Sequence, residues 1–101
     1  MAYSVFFAAE ALADQESIVY YLAEILGNQN AAKHFMDKLE DTVSLLEEMP
    51  SAFPCSLEPR LESLGYQKAL FMNYILLFRI ENECVYIARI VHQKQNYAEL
   101  V

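Results

Sequence analysis

The stretch "YILLFRIENECVYIARIVH", residues 74–92, decides the fold. Both of its halves are rich in β-branched and aromatic residues, and the polar pair Asn82 and Glu83 stands between them. This pattern is typical of two strands joined by a turn. We therefore predict strands over Tyr74–Glu81 and Cys84–His92.

Two further strands are predicted closer to the N-terminus. Residues Ala2–Ala8, "AYSVFFA", alternate and are rich in aromatic and β-branched side chains. Residues Tyr66–Phe71 precede the first strand of the quoted stretch and form the other candidate. Four strands are enough for a small sheet.

Two amphipathic helices are predicted between these strands. In the first, residues 9–26, apolar positions recur at steps of three and four residues, namely Leu12, Ile18, Val19, Leu22, Ile25 and Leu26. Gly27 ends this helix, and Asn28 or Asn30 can cap a second helix that continues to Pro50. The apolar stripe of the second helix comprises Ala32, Phe35, Met36, Leu39, Val43, Leu46 and Met49. A link this short predicts an antiparallel helical hairpin.

The predicted architecture is a single α+β domain over residues 1–101 with the order βααβββ. The helical hairpin covers one face of a mostly antiparallel four-stranded sheet. Residues 50–65 contain all three prolines and no sustained period, and they are longer than most connections in compact domains. We expect a functional loop there. The polar tail, residues 93–101, is compatible with one final helical turn.

The formal charge of −7 is unevenly distributed along the chain. Residues 1–59 hold ten of the 14 acidic side chains and two of the seven basic ones. Broad binding to a phosphate backbone is disfavoured, because such binding depends on lysine and arginine displacing condensed counterions. The five cations in residues 60–101 are the candidates for a functional site.

The sequence indicates a cytoplasmic protein without a membrane span. Its apolar run at residues 69–78 is broken by Asn73 and is far shorter than the roughly 20 residues a span requires. The N-terminal residues turn acidic within ten positions, unlike a secretory signal. Cys55 and Cys84 show no CxxC or Cys/His ligand spacing, so we expect two free thiols and no metal or cofactor.

Several motifs resemble one known family. The string "NYILLFRIENECVYIARIVHQKQNY" resembles the C-terminal signature of the RelE/ParE superfamily of bacterial toxins, in which "NYLxFYRV" is followed by "VxIxRIxHxxxDY". Upstream, "PRLESLGYQK" resembles the proline- and GYR-containing approach to that strand. The segment "NQNAAKHFMDKLEDTVSLLEEMP" resembles the second helix of the family. The resemblance covers nearly the whole chain, and its C-terminal motif is ParE-like.

The resemblance implies the toxin of a type II toxin–antitoxin pair, which arrests growth when free and is neutralised by a cognate antitoxin. The antitoxin is expected to lay an extended or helical segment over the helical hairpin and the sheet edge. ParE-like members inhibit DNA gyrase, whereas RelE-like members cut messenger RNA on the ribosome, and the fold alone does not choose between them. A homodimer without antitoxin, and a degenerate member that poisons nothing, stay open.

The chemistry of RNA cleavage defines the candidate site residues. Attack by a 2′-hydroxyl on the adjacent phosphate needs a proton acceptor, cations for the phosphorane and a proton donor for the leaving oxygen. His92 is the candidate acid or base, if the protein is a nuclease. The candidate catalytic cations are Lys68, Arg79 and Arg89. The candidates for target binding are Arg60, Lys94 and Tyr97.

Strand alternation limits which of these groups can act together. Arg89 and His92 are predicted on opposite faces of their strand, and Arg79 on the same face as Ile75 and Leu77. By alignment, the RelE-type arginine after "GY" falls on Ile75, and the RelE lysine pair has no clear counterpart in "SAFPCSLEP". We therefore favour a ParE-like binder of a target such as gyrase, with mRNA cleavage through His92 as the alternative.

Plainer roles are also open for the same residues. His92 could be a strand-end histidine bonded to the backbone. Arg79 and Arg89 could pair with Glu81 or Glu83, and an exposed pair of this kind is worth about 0–1 kcal/mol. Four aromatic residues fit sheet packing better than base stacking, namely Tyr66, Tyr74, Phe78 and Tyr86.

Overall fold

The computed structural model describes residues 2–55 and 59–94 of the chain. Its elements are β1 (Ser4–Phe7), α1 (Ala9–Tyr20), α2 (Gln29–Glu48), α3 (Pro59–Ser63), β2 (Gln67–Phe71), β3 (Tyr74–Glu81) and β4 (Cys84–His92). The strands form one sheet in the order β1-β4-β3-β2. β1 runs parallel to β4, and the other pairs are antiparallel. The predicted α+β sheet with its helical hairpin is confirmed, and α3 is an addition that the pattern of residues 50–65 did not predict.

The β3–β4 hairpin closes through a two-residue turn. Glu81 pairs with Cys84, and both Asn82 and Glu83 have positive φ angles, of 48° and 65°. Two successive positive φ angles define the tight turn whose twist matches that of the flanking strands. The predicted turn is confirmed, and it sets the register of the two strands.

A β-bulge in β4 changes which residues face the helices. Leu77 pairs with Arg89 while its neighbour Phe78 pairs with Ile87, so Ala88 has no partner of its own. Such an extra residue bends a strand and shifts its alternation by one position. Odd-numbered residues of β4 face the helices before Ala88, and even-numbered residues do so after it.

The main core lies between α1, α2 and the sheet. Phe35, Leu39 and Leu46 of α2 are buried against strand residues that include Leu76 and Phe78. We call this side of the sheet the helix face and the opposite side the open face. Open-face strand positions include Phe6, Lys68, Leu70, Ile75, Leu77, Arg79, Tyr86 and Val91.

A smaller cluster covers part of the open face. Leu61 of α3 is fully buried and packs with Ile75, Leu77 and Val91, and Tyr66 borders the group. The proline-containing connection therefore covers one end of this face through Leu61. The rest of the open face has no helix over it among the described residues.

The apolar stripe predicted for the first helix is partly wrong. Leu12, Ile25 and Leu26 are exposed, whereas Ala11 is fully buried. After Tyr20 the chain continues as a π-helical turn, Tyr21–Ile25, in which the Leu26 amide donates to the Tyr21 carbonyl at 2.9 Å. The wider turn moves the following side chains off the α-helical period.

The second helix follows the sequence pattern more closely. The Asn28 side chain accepts a hydrogen bond from the Ala31 amide at 2.9 Å, which selects Asn28 over Asn30 as the cap. Of the predicted stripe, Ala32, Phe35, Leu39 and Leu46 are buried, and Met36 and Val43 are partly buried. Met49 is exposed, because the helix ends at Glu48 and the backbone leaves helical geometry at the next residue.

Candidate functional site on the two faces of the sheet

An aromatic row crosses the open face of the sheet. Phe6 pairs in register with Tyr86, and Tyr86 pairs with Arg79. The Phe6 and Tyr86 rings stack with centroids 5.6 Å apart, and both are about half exposed. The guanidinium carbon of Arg79 lies 5.7 Å from the Tyr66 ring centroid, within cation–π range. We call these four residues the aromatic row, and they line a depression of about 460 Å³.

Arg79 keeps its charge available to a partner. Its Nη2 lies 3.7 Å from Glu81 Oε2, and the two side chains are 43% and 60% exposed. An ion pair this exposed contributes little to stability. The pairing with Glu81 that we considered from the sequence is therefore present, and it leaves Arg79 open to solvent.

Two more predicted cations belong to the same side of the sheet. Lys68 pairs in register with Leu77, so its side chain stands on the open face. Arg60 is exposed on α3, the helix whose Leu61 packs against this face. The predicted placement of Arg79 with Ile75 and Leu77 is also correct.

Arg89 is held by a residue that the sequence did not suggest. Its Nε donates to Asp14 Oδ2 at 2.7 Å and its Nη2 donates to Asp14 Oδ1 at 2.8 Å. A third donor, the Ile90 amide, reaches Oδ2 at 2.9 Å. The bidentate bond with Asp14 raises the pKa of Arg89, while burial opposes the shift. The expected partners were Glu81 or Glu83, and the structure corrects this to a partner on α1.

The position of Asp14 follows from the short length of β1. Pairing between β1 and β4 stops at Phe7 and Ile87, so the second half of β4 loses its strand neighbour. α1 lies beside this part of the strand edge, and Asp14 accepts a hydrogen bond from the Ile90 backbone amide. We call the contact of Asp14 with Arg89 and Ile90 the edge clamp. It satisfies a backbone donor that would otherwise lack a strand partner.

His92 lies on the helix face, away from Lys68 and Arg79. It pairs in register with Tyr74, and the two rings meet edge to face with centroids 5.7 Å apart. Its Nδ1 accepts a hydrogen bond from the Lys94 amide at 3.2 Å, which agrees with the plainer expectation of a backbone-bonded histidine. Burial raises the pKa of the neighbouring Tyr74 hydroxyl.

A cleft beside His92 separates α1 from the sheet. It has a volume of about 290 Å³ and is lined by Asp14, Ser17, Ile18, Tyr21, Tyr74, Ile90 and His92. None of the three predicted catalytic cations lines it. The sheet thus separates the candidate acid–base group from Lys68 and Arg79.

The candidate residues in the second half of β4 and just after it therefore do not form one site. Arg89 binds α1, His92 packs on Tyr74, and Lys94 is exposed beyond the strand. Tyr97 lies outside the described residues. Sequence reasoning missed Phe6 and Asp14, because both act across register or packing contacts that no local pattern displays.

The other sequence predictions about this region have mixed outcomes. Phe78 is buried and Tyr74 packs in the core, as expected, but Tyr86 is exposed on the open face. A hydrogen bond with Cys84 raises the pKa of the Tyr86 hydroxyl.

Cys55 and Cys84 are free thiols. Within residues 2–55 and 59–94, no helix is long and apolar enough to cross a membrane, and no cluster of three potential metal ligands occurs.

Comparison with solved structures places the fold among toxin–antitoxin proteins. The chain is similar to a chain of the chromosomal ParDE toxin–antitoxin system from P. aeruginosa, with a TM-score of 0.68, 19% identity, and coverage of 90% of this chain and 96% of that one. It is also similar to a chain of the RelBE2 toxin–antitoxin complex from Mycobacterium tuberculosis, with a TM-score of 0.62 and 24% identity. That match covers 91% of this chain and 99% of the other. These likenesses define the fold class.

The sequence itself assigns the family. The profile described as the ParE toxin of the type II toxin–antitoxin system, parDE, matches residues 5–97. This chain therefore belongs to the ParE toxin family and is a type II toxin of the ParE/RelE group. A comparison with curated protein sequences finds no significant match.

Proposed function

We propose that this toxin arrests growth by binding a protein target such as DNA gyrase, and that the open face of the sheet is the contact surface. The observation that carries the proposal is the separation of Lys68 and Arg79 from His92 by the sheet. RNA cleavage needs an acid–base group and its cations around one phosphate. Binding to a protein surface needs no such convergence.

The composition of the aromatic row suits a protein target. Tyrosine, phenylalanine and arginine are enriched at the centres of protein interfaces. Phe6 and Tyr86 already stack on each other, so little side-chain freedom is left to lose when a partner covers them. Arg79 stands next to Tyr86 in the register and supplies a cation on the same surface.

We further propose that a cognate antitoxin neutralises the toxin in the cytoplasm by covering the helical hairpin and a sheet edge. α1 and α2 form the hairpin, and part of its outer surface is apolar and exposed. An antitoxin segment that wraps this region would bury on the order of 1,200–2,000 Å² in total. Lys94 and Tyr97 follow β4 and are proposed as additional target contacts.

Parallel assays of the purified toxin test the proposal. We expect inhibition of gyrase supercoiling and no cleavage of mRNA in a reconstituted translation reaction. Arg79→Ala should raise the inhibitory concentration by about fivefold or more, since truncating an arginine at the energetic centre of an interface costs over about 1 kcal/mol. Lys33→Ala removes one positive charge from the exposed surface of α2 and should change nothing.

His92→Asn separates the binder from the nuclease. The asparagine oxygen can accept the bond that the Lys94 amide donates to Nδ1, but it cannot act as an acid or base near neutral pH. If the toxin acts by binding its target, supercoiling inhibition should be unchanged in this variant. Cleavage of translated mRNA that is abolished by His92→Asn would replace the proposal with the endonuclease alternative.

A further inference from the structure

The end of the first helix leaves large apolar side chains uncovered. Tyr20, Tyr21, Ile25 and Leu26 are each between 51% and 60% exposed. They lie in and beside the π-helical turn, Tyr21–Ile25, which directly precedes the loop to α2. Single exposed apolar residues are ordinary, but a concentrated group marks an interaction surface.

A groove between α1 and α2 adjoins these residues. It has a volume of about 540 Å³ and is lined by Gln15, Glu16, Val19, Tyr20, Ala23, Glu24 and Met36. Gln15 Nε2 lies 3.6 Å from Met36 Sδ and links the two helices inside it. We call this region the hairpin groove. Its lining is apolar except for Gln15 and the carboxylates of Glu16 and Glu24.

The hairpin groove lies in the most acidic part of the molecule. Residues 9–48 carry nine carboxylates and two lysines. Asp14 is one of the nine, and the edge clamp pairs it with Arg89. On α2, Lys33 and Glu40 stand about one turn to either side of Met36, so their charges offset each other. The carboxylates of Glu16 and Glu24 therefore set a negative potential at the groove.

This charge argues against several possible occupants. A second copy of the chain that met this one groove to groove would bring the same carboxylates to the contact and would be repelled. A membrane surface with anionic lipids is disfavoured for the same reason, because such surfaces attract basic segments. An acidic partner segment would also place like charges together, which costs affinity and slows association.

We propose that the antitoxin segment that fills the hairpin groove is a basic amphipathic helix. This inference rests on the proposed function, which makes an antitoxin the partner of the hairpin. The apolar side of the segment packs on Val19, Tyr20 and Met36, as in other helix-in-groove complexes. Its lysines or arginines lay their aliphatic stems along the apolar lining and bring their charges to Glu16 and Glu24.

Two synthetic helical peptides test the inference with the full-length toxin. Both have about 16 residues and carry leucines at the i, i+3, i+4, i+7 spacing, and the flanking positions are lysine in one and glutamate in the other. Isothermal titration should show the lysine peptide binding at least about tenfold more tightly. Raising the salt from about 50 mM to about 300 mM should weaken that binding, because partly exposed charges are screened.

Charge reversal locates the peptide. The double change Glu16→Lys with Glu24→Lys should weaken the lysine peptide by about tenfold or more. The matched control, Glu62→Lys with Glu83→Lys, makes the same change in net charge at exposed residues outside the groove, on α3 and in the β3–β4 turn. It should leave most of the affinity intact. Equal losses in both double variants would mean a non-specific charge effect and would overturn the inference.

The remaining outcomes also decide the question. Equal or tighter binding of the glutamate peptide, or binding of neither peptide, would overturn the inference. Supercoiling inhibition is measured without any peptide, so the two failures can be told apart. A toxin that inhibits gyrase but ignores the lysine peptide refutes only the basic segment, and one that binds the peptide without inhibiting gyrase refutes only the target.

Discussion

The two faces of this sheet differ in what covers them and in the charge that surrounds them. The helix face is buried under α1 and α2 by Phe35, Leu39 and Leu46. The open face is covered at one end by Leu61 and elsewhere presents the aromatic row and Lys68. Carboxylates dominate the helices, whereas cations are in excess among residues 59–94.

This difference shows how a chain of this size can offer two separate surfaces. A single core of this size leaves only a thin stability margin, so one sheet face must be given to the core. The other face can then present Arg79 and Tyr86 to solvent, because most of the buried core lies on the helix face. The proposed antitoxin groove lies on the acidic helical side and the proposed target surface lies on the open side.

Core truncation on the two faces should give the largest contrast. Leu46→Ala, at a fully buried position of the main core, should lower the free energy of unfolding by about 3–4 kcal/mol. Leu61→Ala should cost about 2 kcal/mol, because the short α3 can move into the space. Urea unfolding monitored by circular dichroism measures both.

The exposed neighbour Leu45 supplies the control for this pair. Leu45→Ala should change the free energy of unfolding by less than about 0.5 kcal/mol, since its side chain already meets water. A cost for Leu61→Ala that equals or exceeds that of Leu46→Ala would remove the distinction between a stabilising helix face and a lightly covered open face.

The edge clamp joins the two regions and should give the next largest effect. Asp14→Ala removes the carboxylate that accepts from the partly buried Arg89 guanidinium and from the Ile90 amide, so we expect a loss of about 2–3 kcal/mol. Asp14→Asn keeps one acceptor oxygen and should lose less. A double-mutant cycle of Asp14→Ala with Arg89→Met should show a coupling of about 1 kcal/mol or more. Additive effects would mean that the clamp contributes little.

Removing the helix cap tests whether Asn28 stabilises the start of α2. Asn28→Ala removes the acceptor of the Ala31 amide and should cost about 1 kcal/mol in thermal or urea unfolding. Asn30→Ala, two residues later inside α2, should cost less than about 0.5 kcal/mol. The reverse ranking would contradict the assignment of Asn28 as the cap.

Arg79 should show the smallest effect on stability. Its ion pair with Glu81 is exposed, so Arg79→Ala should change the free energy of unfolding by about 0–1 kcal/mol. Together with the expected loss of target binding, this result would mark the open face as a contact surface. A loss of more than about 1.5 kcal/mol would instead make Arg79 a structural residue, which weakens the proposed target surface.

Local pattern was sufficient wherever neighbouring residues supply the structure. Asn82 and Glu83 interrupt an apolar run and form the turn, and Asn28 and Pro50 bound the second helix. Local pattern was insufficient for the first helix, where the π-helical turn shifted Ile25 and Leu26 out of the expected stripe. The turn is a change in backbone bonding, and apolar spacing alone does not reveal it.

The candidate site was less predictable than the fold. Arg79 was assigned to the face of Ile75 and Leu77 correctly by alternation, since a strand has a period of two, whereas Lys68 was placed on that face only by its pairing with Leu77 in the structure. Phe6 joined them only through parallel pairing of β1 with β4, and Asp14 reached Arg89 across 75 positions of sequence. Contacts at such separation depend on how whole elements pack.

The sequence by itself determined the α+β class, the order of strands and long helices along the chain, and the acidic character of the hairpin. These features depend on periodicity, caps, turns and composition. The tertiary structure alone decided that Arg89 serves the edge clamp and that His92 faces away from Arg79. The reason is physical. β1 is too short to pair with all of β4, so α1 lies beside the remaining strand edge. Asp14 of α1 binds Arg89 there, which the sequence had suggested as a functional cation.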